Sequence, residues 1–391
     1  MSKLLIVTDH RFFSIKNKIY DNYVFNYSFF KDYLEIFDEV TIIARIVELD
    51  EIPNAYLQTS GECVSFIGIK DVRGAKWFFN NRKYITRNQL DLSRFDAICF
   101  RIPSMLAYSV WKINAKRYKL PYMFEFIGDP KESLVNDNDI LLKKMIFTSI
   151  GSLMENRMRM ISKGAACGSY VSFRHLQNKF PVQDGVKTEV ISSIRLKDEH
   201  ILNKLPKMST DILNIIHVGS FVFIKNQDFL IEFAKFLKLN KFNFRLTFLG
   251  DGALIQEMQA KAKDLGLQDN IIFKGHVTGF ENIVNLLDEN NIFILPSFSE
   301  GMPRALIEAM ARGLICFGAN RGGIIELLEK KFLFDPTSPE EFLKNFNNII
   351  NNKELINYSR NRNLDLVKSF EQKKLTSKRR KILKILKSKI K

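Results

Sequence analysis

The sequence predicts an α/β protein with two Rossmann-like domains that face one another across a cleft. Short runs of apolar, β-branched residues alternate with helical patterns, an order typical of parallel sheets built from βαβ units. The runs are apolar on both faces, as expected for strands that helices cover on each side. The series is interrupted once, by the polar stretch 197–211, so we place one domain at residues 1–205 and the other at 206–370.

These apolar runs predict six strands in each domain. In the N-terminal domain they are Lys3–Thr8, Glu39–Ala44, Cys63–Ile69, Ala97–Arg101, Tyr122–Ile127 and Ala165–Val171. In the C-terminal domain they are Leu213–Val218, Phe244–Leu249, Ile271–Gly275, Ile292–Pro296, Leu314–Phe317 and Phe332–Phe334, with helices predicted at Gln227–Leu239, Ala253–Leu265 and Pro303–Arg312. Such sheets bind ligands beyond the carboxyl ends of their strands, so the loops there hold the candidate functional residues.

The composition is that of a globular protein of the cytoplasm. Of the 391 residues, 46% are hydrophobic and 26% are charged, which excludes a mainly disordered chain. The four cysteines form no CxxC pair, which argues against a zinc knuckle or a redox dithiol and favours a reducing compartment. We expect neither a signal peptide nor a membrane span, because no uninterrupted apolar stretch approaches the ~18 residues that a span requires.

The net charge of +16 is concentrated at the C-terminus, where residues 373–391 carry ten Lys or Arg and no acid. Apolar residues interleave these cations, which is typical of a basic amphipathic helix on anionic lipid. The pattern also fits a solvated helix whose apolar stripe packs on the body of the protein. Segments 76–84 and 111–119 mix aromatic and basic residues. They too fit either contact with a lipid surface or packing on the body of the protein. Since no RRM, KH or OB signature accompanies the charge, we expect no nucleic-acid partner.

The strongest chemical signal is the segment 296–313, in which a buried strand runs into a small polar loop and then a helix. Gly301 permits close approach of a ligand to the main chain, and Pro303 suits the first turn of the helix. Unpaired amides at a helix start bind anions, for which a diphosphate is a natural ligand. Because carboxylates repel phosphate, Glu300 and Glu308 are better suited to accept hydrogen bonds from sugar and ribose hydroxyls.

Glu300 and Glu308, separated by seven residues, resemble the E-x7-E signature of GT-B glycosyltransferases of family 4, the glycosyl transferases group 1. The helix continues as Glu-Ala-Met-Ala-x-Gly, which is similar to the family's usual sequence. The resemblance is specific over residues 213–340 and looser over the rest of the chain. It implies a GT-B fold in which the last helix, 371–391, returns to the N-terminal domain.

Other segments resemble this family in the same order, including the strand and loop at 217–227 and the base-reading segment at 273–277. Two positions depart from the family: Ser220 replaces a common arginine, and Asn226 replaces a common glycine. Either Lys225 and the helix amides suffice for the diphosphate, or Arg304 supplies the missing cation. The donor-binding residues that the resemblance implies are Gly219, Ser220, Lys225, Gly250, Gly275, His276, Gly301, Met302, Pro303, Arg304 and Glu308.

The N-terminal domain resembles the family less closely. The predicted loop 8–13 lacks the family's glycines, and the segment 122–130 lacks its histidine. A turn or N-cap role stays open for Asp129, which precedes a proline. Two other histidines, His175 and His200, have no obvious partners in sequence and are interpreted as structural. The acceptor-side candidates are Asp9, His10, Glu125 and Asp129.

The resemblance implies a retaining, metal-independent hexosyltransferase that moves a sugar from a UDP- or GDP-linked donor to a lipid-linked or saccharide acceptor. The nucleotide sugar is then a substrate, and no cofactor is expected. The catalytic candidates are Glu300 for the sugar, Lys225 for the leaving diphosphate and Asp129 on the acceptor side. The family's habit implies surface polysaccharide or lipopolysaccharide assembly, with the protein peripheral on the inner face of the cell membrane.

Two other functions stay open. A sugar-nucleotide epimerase or hydrolase has the same fold, but it needs acid–base groups in the cleft, and the Glu-Ala-Met-Ala helix argues against it. A non-catalytic partner of another glycosyltransferase is consistent with Ser220 and with the missing histidine.

Overall fold

The computed structural model of the chain describes residues 1–21, 25–51, 56–72, 74, 77, 83, 85, 90–131, 141–207 and 211–390, apart from the side chains of residues 141–145. The chain divides into two compact units, residues 1–193 with 375–391 and residues 194–374. Most of the aromatic and basic segment 76–84 lies outside the described residues, as do residues 208–210 of the polar stretch. No helix among the described residues is both long enough and apolar enough to span a bilayer.

The first unit is built on one mixed sheet. Its strands are β1 (Lys3–Ile15), β2 (Lys18–Asp21), β3 (Glu39–Glu48), β4 (Leu57–Gln58), β5 (Val64–Lys70), β6 (Ala97–Ile102), β7 (Tyr122–Phe126), β8 (Cys167–Tyr170) and β9 (Lys187–Val190). Parallel pairs give the order β5-β3-β1-β6-β7-β8-β9. β2 pairs antiparallel with the end of β1, and β4 pairs antiparallel with β2. The strand order reverses between β1 and β6, as in doubly wound sheets.

The first strand is longer than the sequence predicted, because residues 8–13 are not a loop. They continue β1 to Ile15, and the register with β3 shifts between Val7 and Arg11, so a bulge contains Asp9 and His10. Lys16 and Asn17 both have positive φ, 45° and 65°, and make the tight turn into β2. The absent glycines are therefore explained by a β-hairpin in place of a ligand-binding loop.

The helices of the first unit include the one at the C-terminus. They are α1 (Tyr27–Leu34), α2 (Met105–Ile113), α3 (Leu141–Lys163), α4 (His175–Lys179) and, from Leu375 onwards, α12 (Gln372–Lys387). Ile382, Leu383 and Leu386 of α12 share a buried cluster with Phe29 and Phe30 of α1. The apolar stripe of α12 therefore packs on the body of the protein, which is the second of the two interpretations of its sequence.

The second unit is a parallel sheet with helices between its strands. The strands are β10 (Leu213–Val218), β11 (Phe244–Leu249), β12 (Ile271–Phe273), β13 (Ile292–Leu295), β14 (Ile315–Ala319) and β15 (Leu333–Phe334), in the order β12-β11-β10-β13-β14-β15. The helices are α5 (Gln227–Leu239), α6 (Ile255–Asp264), α7 (Phe280–Asp288), α8 (Arg304–Ala311), α9 (Ile324–Leu327), α10 (Pro339–Ile350) and α11 (Lys353–Val367). This is the doubly wound order of dinucleotide-binding folds, and it confirms the predicted fold class.

The first unit ends at Ser193, earlier than the boundary that we predicted at residue 205. The polar residues that follow are bonded to the second unit: the Leu202 amide donates to the Ala311 carbonyl at 3.0 Å, and Arg360 Nη2 donates to the Pro206 carbonyl at 3.1 Å. Low apolar content made this stretch resemble a linker. These two main-chain groups are nevertheless bonded within the second unit, so that unit includes the described part of the stretch.

Candidate functional site

The predicted donor-binding residues follow neighbouring strands of the second unit. β10 and β13 pair through Ile215–Ile292 and Ile216–Phe293, and the strand order continues from them in opposite directions. Gly219 follows β10, and the loop 296–303 follows β13. Both therefore lie at the reversal point of the strand order, beyond the carboxyl ends, where doubly wound sheets bind ligands.

Main-chain hydrogen bonds tie the loops after β10, β11 and β12 together. The Gly219 amide donates to the Leu249 carbonyl at 2.9 Å, and the Gly250 amide donates to the Gly275 carbonyl at 2.8 Å. Gly250 has φ +134°, and a Cβ there would lie 2.1 Å from the Gly219 carbonyl oxygen. Only glycine fits at this position, so the sequence motif that contains Gly250 keeps the two loops in contact.

Lys225 and Glu300 form the charged centre of this group. Lys225 Nζ lies 2.5 Å from Glu300 Oε1, and both side chains are largely buried, with 24% and 12% exposure. A Cβ on Gly219 would lie 3.6 Å from Lys225 Cδ, so the lysine stem passes directly over that glycine. An ammonium has three donors, and it can therefore hold Glu300 and a phosphate oxygen at once.

The departure at Asn226 has a local explanation. Asn226 has φ +54°, the left-handed conformation that favours glycine and that asparagine tolerates better than other residues. Its Nδ2 donates to the Pro336 carbonyl at 2.9 Å and to the Pro296 carbonyl at 3.2 Å. Asparagine thus keeps the turn beside Lys225 and adds two bonds, one of them to the start of the Glu300 loop.

His217, just before Gly219, is fully buried beneath the same loops. Its Nδ1 lies 2.9 Å from the Ile294 carbonyl oxygen, and Gln227 Nε2 lies 3.4 Å from its Nε2. Burial, assisted by the nearby Lys225 charge, lowers the pKa of His217 to about 4. The ring is therefore neutral near pH 7 and supports the loop without adding charge to the site.

Helix α8 carries the second glutamate. Pro303 precedes the first helical residue, Arg304, as the N-cap and does not occupy the first turn. Glu308 lies four residues after Arg304, so the two side chains share one face of the helix. Desolvation raises the pKa of Glu308, and the Arg304 charge opposes that rise. Glu308 is only partly exposed, and no described residue donates a hydrogen bond to its carboxylate.

The other donor-side residues differ in how far they are exposed to solvent. Met302 is buried, and Gly301 is partly exposed, which is the exposure expected of a loop that presents its main chain. Ser220 is exposed, and it contributes its carbonyl oxygen to Gln227 Nε2 at 2.9 Å. His276 is also exposed, in the loop after β12. Ser297, which we did not select, is fully buried with its Oγ unpaired among the described residues.

Gly323 supports the Glu300 loop and yields a first prediction. Its amide donates to the Glu300 carbonyl at 2.7 Å, and a Cβ there would lie 1.9 Å from the Gly301 carbonyl oxygen. Gly323→Ala is expected to cost about 1–3 kcal/mol of stability and to weaken donor binding, because the loop must move. Urea unfolding and nucleotide titration measure the two effects. Asn320→Ala, whose exposed side chain lies in the same turn, is the control, and equal behaviour of the two variants would contradict this role.

Three acceptor-side candidates have structural partners. Asp9 caps α2: its carboxylate accepts from the Met105 amide at 2.7 Å and the Leu106 amide at 3.3 Å. Burial raises the pKa of Asp9, and these hydrogen bonds oppose that rise. His10 Nε2 lies 2.6 Å from Asp21 Oδ1, and its ring contacts Phe12 and Phe25.

Glu125 is the third of these and lies in the sheet itself. It is buried, accepts a 2.5 Å hydrogen bond from the Tyr33 hydroxyl and forms an ion pair with Arg101. Its side chain is only 7% exposed and both oxygens have partners, so the geometry favours a structural role. A role in acceptor binding stays a prediction for Asp9, His10 and Glu125.

Asp129 lies in a cluster that the sequence did not reveal. Its Oδ2 is 2.5 Å from Lys179 Nζ and 3.5 Å from His175 Nε2, and its Oδ1 accepts from the Lys131 amide at 2.9 Å. Lys179 also contacts Glu155 of α3 at 2.6 Å. Interpreting His175 as lacking partners was therefore wrong. The available signal was its spacing of four residues from Lys179, which places both on one face of α4.

His200 has partners too, but of a structural kind. Its Nδ1 accepts from the Lys197 amide at 3.2 Å, so Nε2 carries the proton and donates to Glu281 Oε1 at 3.0 Å. Glu199 lies nearby, and these three side chains are the described group whose ligand atoms could hold a metal ion. A metal would have to displace the Nε2 proton, so the observed bonds favour a structural role.

Comparisons with known proteins find similarity to glycosyltransferases. Residues 200–363 match the family model of glycosyl transferases group 1. The chain is 29% identical to Protein CapJ of Staphylococcus aureus, over 86% of this chain and 84% of that protein. It is 28% identical to UDP-Gal:alpha-D-GlcNAc-diphosphoundecaprenol alpha-1,3-galactosyltransferase of Escherichia coli, over 37% of this chain and 38% of that protein.

Solved structures match almost the whole chain. Sucrose-phosphate synthase from Thermosynechococcus elongatus has a TM-score of 0.72 at 12% identity, covering 99% of this chain and 100% of that one. WaaG, a glycosyltransferase involved in lipopolysaccharide biosynthesis, has a TM-score of 0.63 at 13% identity, covering 97% and 99%. At these identities the structures establish a shared fold.

Proposed function

Because residues 200–363 match the family model of glycosyl transferases group 1 and the chain has the GT-B fold, we propose that it transfers a hexose-type sugar from a UDP- or GDP-linked donor to a lipid-linked or saccharide acceptor. The observation that carries the proposal is the pairing of Lys225 with Glu300 at the reversal point of the second sheet, with Glu308 on the adjoining helix. A cation for phosphate and two carboxylates for hydroxyls are the groups that a nucleotide sugar requires.

The proposed chemistry is electrostatic and retains the anomeric configuration. The bond between the anomeric carbon and the phosphate oxygen breaks, and Lys225 with the first amides of α8 stabilises the charge that grows on the diphosphate. The acceptor oxygen bonds to the anomeric carbon from the same face, and its proton passes to the leaving phosphate oxygen. Glu300 orients the transferred sugar, and Glu308 accepts from the ribose hydroxyls.

The proposed setting is surface polysaccharide or lipopolysaccharide assembly. The Escherichia coli relative is named for UDP-Gal and a diphosphoundecaprenol acceptor, and WaaG for lipopolysaccharide biosynthesis. These names support a uridine donor and a lipid-linked acceptor. We propose that no metal or cofactor takes part, because Lys225 supplies the charge for the diphosphate, and transfer should persist in EDTA.

A transfer assay tests the proposal. The protein is incubated with UDP- or GDP-linked radiolabelled sugars and a bacterial lipid extract, and the label is followed into the lipid fraction. Lipid-linked label whose anomeric configuration matches the donor is the expected result. Release of free or epimerised sugar without an acceptor would favour an epimerase or hydrolase, and no turnover with any donor would favour a non-catalytic partner.

The C-terminal helix carries a separate proposal, contact with an anionic membrane surface. Its apolar stripe is buried, so contact would depend on exposed cations of the helix and of the residues just after it, such as Lys384 and Lys389. Binding to phosphatidylglycerol vesicles should weaken as salt rises from about 0.05 to 0.5 M. The double change Lys384→Glu and Lys389→Glu should weaken it at least tenfold, at about 1 kcal/mol for each cation lost.

Vesicle co-sedimentation measures this binding. The matched control changes two exposed lysines of the second unit, Lys263→Glu and Lys274→Glu, which alters the net charge equally. Equal weakening by both double variants would show that net charge alone drives binding. Salt-independent binding would contradict electrostatic contact.

A further inference from the structure

Two phenylalanine side chains form an aromatic platform beside the charged centre of the second unit. Phe223, in the loop after β10, is 45% exposed. Its ring stacks on that of Phe298, in the loop after β13, with the ring centroids 5.2 Å apart and the ring planes 20° apart. A single exposed apolar side chain is common on protein surfaces and needs no explanation. The position of this one, on the loops that carry Lys225 and Glu300, does need one.

The aromatic platform and the charged centre are built from the same two loops. Phe223 precedes Lys225 by two residues, and Phe298 precedes Glu300 by two residues. Between the two pairs, the Phe298 amide donates to the Ile224 carbonyl at 2.9 Å and ties the loops together. An apolar contact between the loops is therefore followed directly by a charged one, in which Lys225 Nζ lies 2.5 Å from Glu300 Oε1.

This spacing indicates a ligand that is polar on its edge and apolar on a face. Two residues of chain span at most about 7 Å, so a single small ring can reach both pairs. A hexopyranose has hydroxyls that a carboxylate can accept from, and a face of C–H groups that is attracted to the negative face of an aromatic ring. A diphosphate has no such apolar face. A nucleotide base could also stack on a ring, but it lacks the hydroxyls that Glu300 would accept from.

We infer that the aromatic platform binds the C–H face of the transferred hexose while Glu300 binds its hydroxyls. The inference rests on the proposed transferase function and adds a sugar-selecting surface to it. Phe223 supplies the exposed ring, and Phe298, which is partly exposed, holds that ring in place by stacking. A hexose whose hydroxyl projects from the stacked face would place an unpaired polar group on the rings, which costs free energy. The platform therefore discriminates between epimers of the sugar.

Titration of nucleotide sugars against their nucleotides tests the inference. The probes are UDP-glucose, UDP-galactose and GDP-mannose, with UDP and GDP as sugar-free references. In Phe223→Ala, the Kd of the preferred hexose donor should rise about fivefold or more, and the Kd of its nucleotide should stay within about twofold, because only the sugar loses the ring. The difference in Kd between UDP-glucose and UDP-galactose should also shrink.

Matched variants separate the ring from its apolar bulk and from the fold. Phe223→Tyr keeps a ring and should keep the affinity for the hexose donor, whereas Phe223→Leu keeps apolar volume only and should lose part of it. Tyr358→Ala removes another exposed ring of the same unit, 52% exposed on α11, and should change neither Kd.

Saturation-transfer NMR shows contact without depending on affinity. The protein is deuterated except at its phenylalanine rings, which are irradiated in the presence of the hexose donor. The C–H protons of the hexose should receive saturation in the natural protein and in Tyr358→Ala. In Phe223→Leu that saturation should be at least halved, because the exposed ring is gone.

The outcomes distinguish this inference from the proposed function. An unchanged Kd of the hexose donor in Phe223→Ala, or hexose protons that receive no saturation, would overturn the inference alone. Equal weakening of UDP and of the hexose donor would assign the rings to the nucleotide, and a raised KM for octyl glycoside acceptors alone would assign them to a lipid chain. Both results contradict the inference. Failure of every nucleotide sugar to bind the natural protein would contradict the proposed function as well.

Discussion

Replacing Lys225 with alanine is expected to lower kcat for sugar transfer about 10²–10³-fold, the range found when one preorganised donor to a developing anion is removed. Lys225 Nζ is held 2.5 Å from Glu300 and over Gly219, so its charge is already placed where the diphosphate would leave. No reorganisation is then needed as charge develops. Ser220 carries no charge that could take over this task.

The measurement is steady-state transfer with a saturating acceptor, with kcat and the donor KM determined separately. Lys263→Ala is the matched control, because it removes an exposed lysine from helix α6 of the same unit, outside the donor-side segments. Lys225→Arg should recover only part of the rate, since a planar guanidinium does not reproduce the compact ammonium beside Glu300. If Lys225→Ala reduced kcat by less than fivefold, the leaving group would depend on another cation, and Arg304 would be the next candidate.

Glu308→Ala is expected to weaken donor binding about 10- to 100-fold, because a hydrogen bond to a charged group contributes about 1.5–3 kcal/mol. The carboxylate receives no hydrogen bond from the described residues, so it is available to ribose hydroxyls. Glu308→Gln should lose less, since its amide oxygen still accepts. Isothermal titration with UDP and GDP measures the affinities. Unchanged affinity in Glu308→Ala would remove Glu308 from the donor site.

Glu308 also predicts a pH dependence of donor affinity. Desolvation raises the pKa of this carboxyl above that of an ordinary glutamate. Its charge is therefore complete above the raised pKa and is lost as pH falls through it, at a higher pH than an exposed glutamate would show. Donor affinity of the natural protein should fall correspondingly on acidification. In Glu308→Gln, the part of this fall that comes from protonation of Glu308 should be absent. An identical pH profile of donor affinity in the two proteins would contradict the prediction.

The elements that carry the donor-side candidates could be predicted because their signals are local in sequence. The strand Ile292–Leu295, the loop after it and helix α8 form one continuous segment, and E-x7-E lies within it. Predicted and observed bounds are the same for Leu213–Val218 and Gln227–Leu239, where apolar runs and helical periodicity are strong. Even the departure at Asn226 follows a local rule, since asparagine tolerates positive φ.

The contacts of the acceptor-side candidates could not be predicted, because their partners are distant in sequence. Asp9 caps a helix that begins 96 residues later, and Asp129 pairs with Lys179, 50 residues away. A carboxylate at a strand end has the same sequence pattern whether it binds a ligand or a helix start. The bulged β1 hairpin likewise depends on pairing with β3, which a single-strand pattern does not indicate.

The C-terminal helix shows a third situation, in which the sequence limits the choices and packing decides. Its apolar stripe fits a lipid surface and a protein core equally well. In the structure Ile382, Leu383 and Leu386 are buried in the first unit, and Arg379 donates to Asp32 at 2.6 Å. Exposed cations such as Lys384 are left for an external partner.

A donor-binding panel tests the central claim most directly. Thermal unfolding is followed with UDP-, GDP-, dTDP- and CMP-linked sugars, each for the natural protein and for Glu308→Ala. A donor at about 100 times its Kd adds about 2.7 kcal/mol to stability. We expect stabilisation by uridine or guanosine donors that is lost or strongly reduced in Glu308→Ala. No stabilisation by any donor, or equal stabilisation of both proteins, would contradict a donor site built on Lys225, Glu300 and Glu308.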